Sequence, residues 1–387
     1  MMTSMGKNKD KASAKADADT KSKKRDDELT SSDKKKVAEQ ASEKAAKAKA
    51  KAKAKAEKAP VKKKGSAKKA SSKPATEAAK KPKKDEAVKA AKKVGKDKST
   101  KKLKKKHKAR LSDFTSVLKV TPGFSLADLD ASSTPAFDGD QKKAEKLMRK
   151  TGEELADLQE RLYANERHPD GRSVLLVVQG MDTSGKGGIM RHVIGSIDPQ
   201  GVELTSFKAP TKEEQAHPFL WRIRSALPKP GYIGVFDRSQ YEDVLIVRVH
   251  DLVSRPVWMR RYGQINAFEE STVAKNTTII KVMLHIDADE QKARLAERLD
   301  NPEKFYKFNP GDLKERAYWP EYQEAYQAVL ERTSTDVAPW FVVPANNKWY
   351  ARLAVQQLLL EHLRSLDLTW PEATFDVEEQ KAALAQL

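Results

Sequence analysis

The chain has 387 residues, no Cys and a formal net charge of +20. The lack of Cys excludes disulfides and thiolate zinc sites and suits a reducing cytoplasm. No apolar run approaches the ~20 residues of a membrane span, and no apolar stretch follows the basic N-terminus as in a secretory signal, so a cytoplasmic protein with no membrane association is expected.

The charge is unevenly placed. Residues 1–110 hold 40 Lys and Arg against 14 Asp and Glu, a surplus of 26, whereas the rest of the chain holds 35 against 41. The basic character therefore belongs to a tail and not to the folded part. Ala46–Ala59 nearly alternates Lys with Ala, so Lys would appear on every face of any helix formed there. Such a segment buries too little apolar surface to offset its chain entropy, and a disordered tail is expected over 1–110. Its use is either solubility or the binding of a polyanion, nucleic acid or polyphosphate.

Residues 111–172 read as an arm, irregular around Pro122-Gly123 and Ser132–Pro135, followed by an amphipathic helix at Gln141–Asn165 with Leu147, Leu155, Leu158 and Leu162 on one stripe. From Ser173 short β-branched runs alternate with helical patterns. Strands are expected at Ser173–Gln179, Val202–Phe207, Tyr232–Phe236, Thr278–Ile286 and Trp340–Val343. Helices are expected at Lys186–Ser196, Thr211–Ala226, Ser239–His250, Pro256–Lys275, Ala288–Leu299, Asp312–Arg332 and Lys348–Leu366, and Thr211 with Glu214 forms a capping box. This alternation predicts an α/β fold, a five-stranded parallel sheet between helices in a three-layer sandwich over 173–370 with a C-terminal tail at 371–387, and the glycine-rich loop after its first strand makes that sandwich P-loop kinase-like.

Gly180-Met-Asp-Thr-Ser-Gly185-Lys186-Gly187-Gly188 follows the first strand and opens a helix. Its spacing is that of the Walker A loop, in which Gly lets backbone N–H groups turn toward phosphate oxygens while the Lys and the helix N-terminus add positive charge. The Ser or Thr that ordinarily follows the Lys and ligates Mg²⁺ is Gly187 here, so metal oxygens must come from elsewhere. Asp182 in the loop and Asp237 at the end of the third strand open onto the same crevice and are the expected metal ligands. Either alone would equally suit a cap or a turn.

Arg238 is placed to clamp phosphate, or else to pair with Glu242 at the surface. Lys208 ends the second strand on the crevice side, and Arg191 and Arg248 are weaker candidates. Between Arg298 and Asp312, basic and aromatic residues alternate, including Lys304 and Lys307; this suggests a lid over about 298–316, or else a rigid loop whose Phe305 and Phe308 pack inward. His192, His217, His250 and His285 have no metal-ligand spacing and read as structural, and the Met and Trp residues read as core. Transfer of a phosphoryl group onto an existing phosphate needs positioning and charge neutralisation more than a strong base, and this inventory supplies those.

Together these residues resemble the second family of polyphosphate kinases, which is unrelated to the larger histidine-phosphorylated family. The likeness runs from Phe114 to Leu366 through Gly180–Gly188, Asp198–Gly201, Ser206–Pro210, Phe219–Arg222, Phe236–Leu245 and Phe308–Arg316. It implies Mg²⁺-dependent transfer between polyphosphate and adenine nucleotides, with Asp182 and Asp237 at the metal. Lys186 and Arg238 would lie on phosphates, with Gly180, Gly185, Gly187 and Gly188 in the cradle and Arg298, Lys304 and Lys307 in the lid. Lys119–Phe124 and Tyr241–Arg248 look most like the subgroup that phosphorylates both AMP and ADP. Many of that subgroup carry Asp after the Walker Lys, or Asn where Asp237 stands; this chain departs from both. Family members usually form homo-oligomers, often tetramers. Two alternatives stay open: an ATP-dependent nucleotide kinase of the same fold, and a nucleic-acid-binding protein acting through its tail.

Overall fold

A computed structural model describes residues 113–168 and 171–387. The basic tail expected over 1–110 lies outside the described residues. In chain order the main elements are α1 (Gln141–Ala164), β1 (Ser173–Gly180), α2 (Lys186–His192), β2 (Val202–Ser206), β3 (Ile233–Asp237), α3 (Arg255–Val273), β4 (Thr277–His285), α4 (Ala288–Asp300), α5 (Trp319–Thr333), β5 (Trp340–Pro344) and α6 (Lys348–Ser365). The five strands are all parallel in the order β2-β3-β1-β4-β5.

Both faces of the central strands are covered, and β1 accordingly reads as an unbroken apolar run from Val174 to Val178, whereas the edge strand β2 is only partly buried. Along β1, Val174, Leu176 and Val178 face one core with α1, α2 and α6, while Leu175 and Val177 face a second core with α3 and α5. The stripe on α1 behaves as its spacing requires: Leu155 and Leu162 are fully buried, and Leu147 and Leu158 pack at the margin. The arm before α1 is ordered by side-chain capture, since Glu361 of α6 accepts from the backbone N–H of Phe114 at 3.0 Å and of Thr115 at 2.8 Å. Among the described residues no helix is long and apolar enough to cross a membrane.

Several expected helices are shorter. The stretch 211–226 is two pieces, Lys212–Gln215 and Trp221–Ser225, because Pro218 has no N–H to give and clashes with the preceding turn. Its capping box is present, with Thr211 Oγ1 accepting from Glu214 N–H at 3.2 Å. Residues 239–250 form a 3₁₀ turn at Gln240–Asp243 and a short helix at Ile246–Val249, because buried side-chain bonds at Ser239 and Gln240 compete with a regular helix. The first helix of the core stops at His192, and 312–332 is divided by a 3₁₀ turn before Trp319. Trp221 and Trp370 are exposed, unlike the core role expected of every Trp, whereas Trp340 is fully buried.

Candidate active site

Parallel pairing sets the site. Val178 of β1 lies level with Asp237 of β3, so the loop leaving β1 and the residues after β3 meet at the carboxyl edge of the sheet. At the start of that loop a Cβ on Gly180 would fall 2.6 Å from Ser184 Oγ and 2.7 Å from the Leu284 carbonyl oxygen. The backbone oxygen cannot move aside, so only glycine fits. Gly180→Ala is expected to cost about 1–3 kcal/mol of stability and most of the activity; thermal unfolding and initial rates measure both, and an unchanged Tm would contradict this packing.

Gly185, at φ +112, turns the chain into α2. Lys186 folds back on the loop: its ammonium donates to the Gly180 carbonyl at 2.7 Å and the Met181 carbonyl at 3.2 Å. Burial pulls its pKa down, against the attraction of Asp182 and Asp237. A Cβ on Gly187 would meet nothing within 4 Å, so crowding does not explain the missing hydroxyl.

Asp237 Oδ2 accepts from Ser206 Oγ at 3.3 Å, and its Oδ1 is buried with no hydrogen-bond partner. An orphaned buried carboxylate oxygen beside a phosphate loop suits a hard cation. Arg238 adopts φ +66 and donates from Nη2 to Asp182 Oδ1 at 3.3 Å; this bond, not one to Glu242, is its carboxylate contact. Glu242 nonetheless lies close: burial raises its pKa, opposed by the charges of Arg238 and Lys186. Among the described residues no group of three or more His, Cys, Asp and Glu could hold a metal, so a cation at Asp182 and Asp237 would complete its shell with phosphate oxygens and water.

These residues border a cavity of about 810 Å³. Every residue expected at the site lines it except Gly180, which sits beneath in β1. Lys208 lies two residues past the end of β2 and still reaches the wall, as does Arg191. Arg248 does not: it stacks on Trp258 at 5.2 Å and points toward Glu324. His192 is at the rim, its pKa depressed by burial and by Arg352 and Arg191, while His250 bonds Glu315 at 2.9 Å away from the cavity.

The proposed lid is braced by its own cations. Arg298 donates to the Lys307 carbonyl at 2.8 Å and to Asp312 at 3.2 Å, and Lys304 pairs with Glu297, which also holds Lys348 at 3.3 Å. Phe305 is exposed and Tyr306 is 80 % exposed, so the inward packing weighed for Phe305 does not occur. Burial and the charge of Asp182 raise the pKa of Asp312, which Arg298 opposes.

Sequence reasoning missed Arg294. On α4 it donates to the carbonyls of Thr183 at 2.8 Å, Ala345 at 2.6 Å and Asn346 at 3.0 Å, tying the phosphate loop to the chain after β5. Its i,i+4 relation to Glu290 reads in sequence as an ordinary surface pair, and the carbonyls it serves leave no sequence signal. Lys348 and Arg352, which line the wall from α6, were also passed over as helix residues.

The geometry is a glycine-rich loop with a lysine folded back on it, the carboxylates of Asp182 and Asp237 on the wall of one cavity, and a ring of cations around it at the edge of a parallel sheet. Residues 138–369 match the family model described as Polyphosphate kinase 2. The chain is 45% identical over 249 residues, 64% of its length and 92% of the relative's, to an AMP/ADP-polyphosphate phosphotransferase from Meiothermus ruber. It is 45% identical over 240 residues, 59% of its length and 82% of the relative's, to an ADP-polyphosphate phosphotransferase from Rhodopseudomonas palustris. The crystal structure of polyphosphate kinase 2 from Arthrobacter aurescens TC1 superposes with a TM-score of 0.69 at 53% identity, over 70% of this chain and 95% of that one. With the family match spanning more than half its residues, the chain belongs to the polyphosphate kinase 2 family.

Proposed function

We propose that this protein transfers phosphoryl groups from inorganic polyphosphate to AMP and ADP with Mg²⁺ bound at Asp182 and Asp237. The observation that carries the metal assignment is the unpartnered, buried Oδ1 of Asp237 beside a Walker loop that has Gly187 in place of its hydroxyl residue. The donor and acceptors are those in the names of the Meiothermus and Rhodopseudomonas relatives.

Asp182 and Asp237 would hold Mg²⁺, which would supply positive charge to offset that of the transferred phosphoryl group. Lys186 and the N–H groups at the start of α2 orient the phosphates and draw off their charge. Arg238, held by Asp182, places a guanidinium against the same group. The acceptor is a phosphate oxygen already ionised near neutral pH, so no side chain has to remove a proton. Arg298, Lys304 and Lys307 line the outer wall, where a closing lid would exclude water and suppress hydrolysis.

Initial rates with AMP or ADP as acceptor, and polyphosphate or ATP as donor, test the assignment. Polyphosphate is expected to support both acceptors with Mg²⁺; turnover with ATP as the sole competent donor would make this a nucleotide kinase instead. The protein is further proposed to be a cytoplasmic homo-oligomer, with tail 1–110, arm 111–172, core 173–370 and C-terminal tail 371–387.

The tail, with its surplus of 26 positive charges, is assigned to polyphosphate retention. A polyanion displaces counterions on binding such a segment, and tethering it raises its local concentration at the core. Deleting 1–110 is expected to raise the KM for long polyphosphate, leave kcat alone, and matter little with short chains. The difference should shrink as salt rises, since exposed charges are screened over ~8 Å at physiological ionic strength. An equal KM for both proteins at low salt would assign the tail to nucleic acid or to solubility.

A further inference from the structure

Lys281 stands out in the sheet, a lysine in the middle of β4 with no exposed surface. By strand alternation it faces the core of α3 and α5, between Ile279 and Met283. Its ammonium donates to Glu269 of α3 at 2.6 Å, to the Tyr241 hydroxyl at 2.9 Å and to the Thr333 carbonyl at 2.6 Å. All three donors of the ammonium are thereby used. Glu269, also fully buried, accepts from the Tyr241 hydroxyl at 2.6 Å and from Gln240 Nε2 at 2.9 Å through its other oxygen.

Two features tie this cluster to the site. Gln240 and Tyr241 follow Asp237 and Arg238 directly, and Ser239 between them is held by Gln179 of β1 at 3.2 Å. Arg238 sits at φ +66, a conformation uncommon for a residue with a side chain, which persists only where its surroundings over-determine it. On its N-terminal side the Arg238 N–H is fixed to the Val178 carbonyl at 3.1 Å. On its C-terminal side the Ser239–Tyr241 turn is the anchor, and Glu269 with Lys281 is what that turn is anchored to.

We infer that Lys281, Glu269 and Tyr241 form a buried positioning device that holds the Asp237–Arg238 corner in its strained, metal- and phosphate-facing geometry. This rests on the assignment of Asp237 to the metal. A hydrophobic trio of similar volume would pack as well and avoid burying two charges. Such a trio would not bond Gln240 or define the turn after Arg238. Burial and the neighbouring Glu269 hold the Tyr241 hydroxyl well above its ordinary pKa, so it remains a hydrogen-bond donor at neutral and alkaline pH.

The test compares Tyr241→Phe, the double variant Glu269→Gln/Lys281→Met and Asp237→Asn with the full-length enzyme, measuring kcat, the Mg²⁺ concentration for half-maximal rate, polyphosphate KM and Tm. Tyr241→Phe keeps the ring and removes one bond. It is expected to lower kcat about tenfold and raise the Mg²⁺ requirement severalfold while polyphosphate KM holds. The double variant leaves no unpaired buried charge but removes the ion pair to which the turn is anchored, so it should lower kcat and raise the Mg²⁺ requirement in the same direction as Tyr241→Phe; wild-type values in a folded double variant would exclude Lys281 and Glu269 from the device. If Tyr241→Phe shifts Tm but leaves kcat and the Mg²⁺ requirement at wild-type values, the cluster is structural only. If Asp237→Asn also leaves the Mg²⁺ requirement unchanged, the metal assignment itself is at fault.

Discussion

Lys186→Ala is expected to lower the rate of phosphoryl transfer by on the order of 10³-fold or more, roughly 4 kcal/mol of transition-state stabilisation. The ammonium folds back into the loop after β1, within 2.7 Å of the Gly180 carbonyl and 3.2 Å of the Met181 carbonyl. Its removal therefore deletes a positive charge and releases two carbonyls that the cation holds. The fold should survive, because the sheet and both cores are formed by other residues. Steady-state rates and circular dichroism of the variant check both parts. Retention of more than a tenth of wild-type activity would remove the loop from the chemistry.

The second large effect is expected at Asp237. Asp237→Asn should raise the Mg²⁺ concentration for half-maximal rate about tenfold or more and lower kcat by on the order of 10²-fold, since an amide is a poorer ligand for a hard cation than a carboxylate. Combining it with Asp182→Asn should add less than the sum of the two changes, as for ligands of one ion. Gly187 offers a sharper outcome. A Cβ there meets nothing within 4 Å, and the position lies in the first turn of α2, where a carboxylate is favoured by the helix dipole. Gly187→Asp added to Asp237→Asn should recover a substantial part of the lost rate and lower the Mg²⁺ requirement. A double variant as impaired as Asp237→Asn would show that the two positions do not share a metal.

The sheet and the phosphate loop are legible in the sequence because their signals are local. Strands covered on both faces require consecutive apolar residues, and Val174–Val178 is such a run. The tight start of the loop requires Gly180, and Asp237 is placed by one strand of parallel pairing. Helix lengths were less legible where side chains compete with the backbone, as at Ser239 and Gln240, or where Pro218 interrupts a plausible periodicity. Residues that act through distant partners left no local trace. Arg294 looks like half of an i,i+4 pair, and its role appears only when α4 is folded against the carbonyls of Thr183 and Ala345. Lys281 interrupts an otherwise apolar strand, which marks it as unusual, but its partner Glu269 lies on a different element, twelve residues earlier.

The most direct test of the account is a label transfer. Polyphosphate carrying ³²P along its chain is incubated with the protein, Mg²⁺ and unlabelled AMP, with no other phosphoryl donor, and the products are separated. Label in ADP, and then in ATP, with little free orthophosphate is the expected result. Label appearing as orthophosphate while AMP stays unlabelled would mean that water is the acceptor, and would contradict a phosphotransferase function for this site.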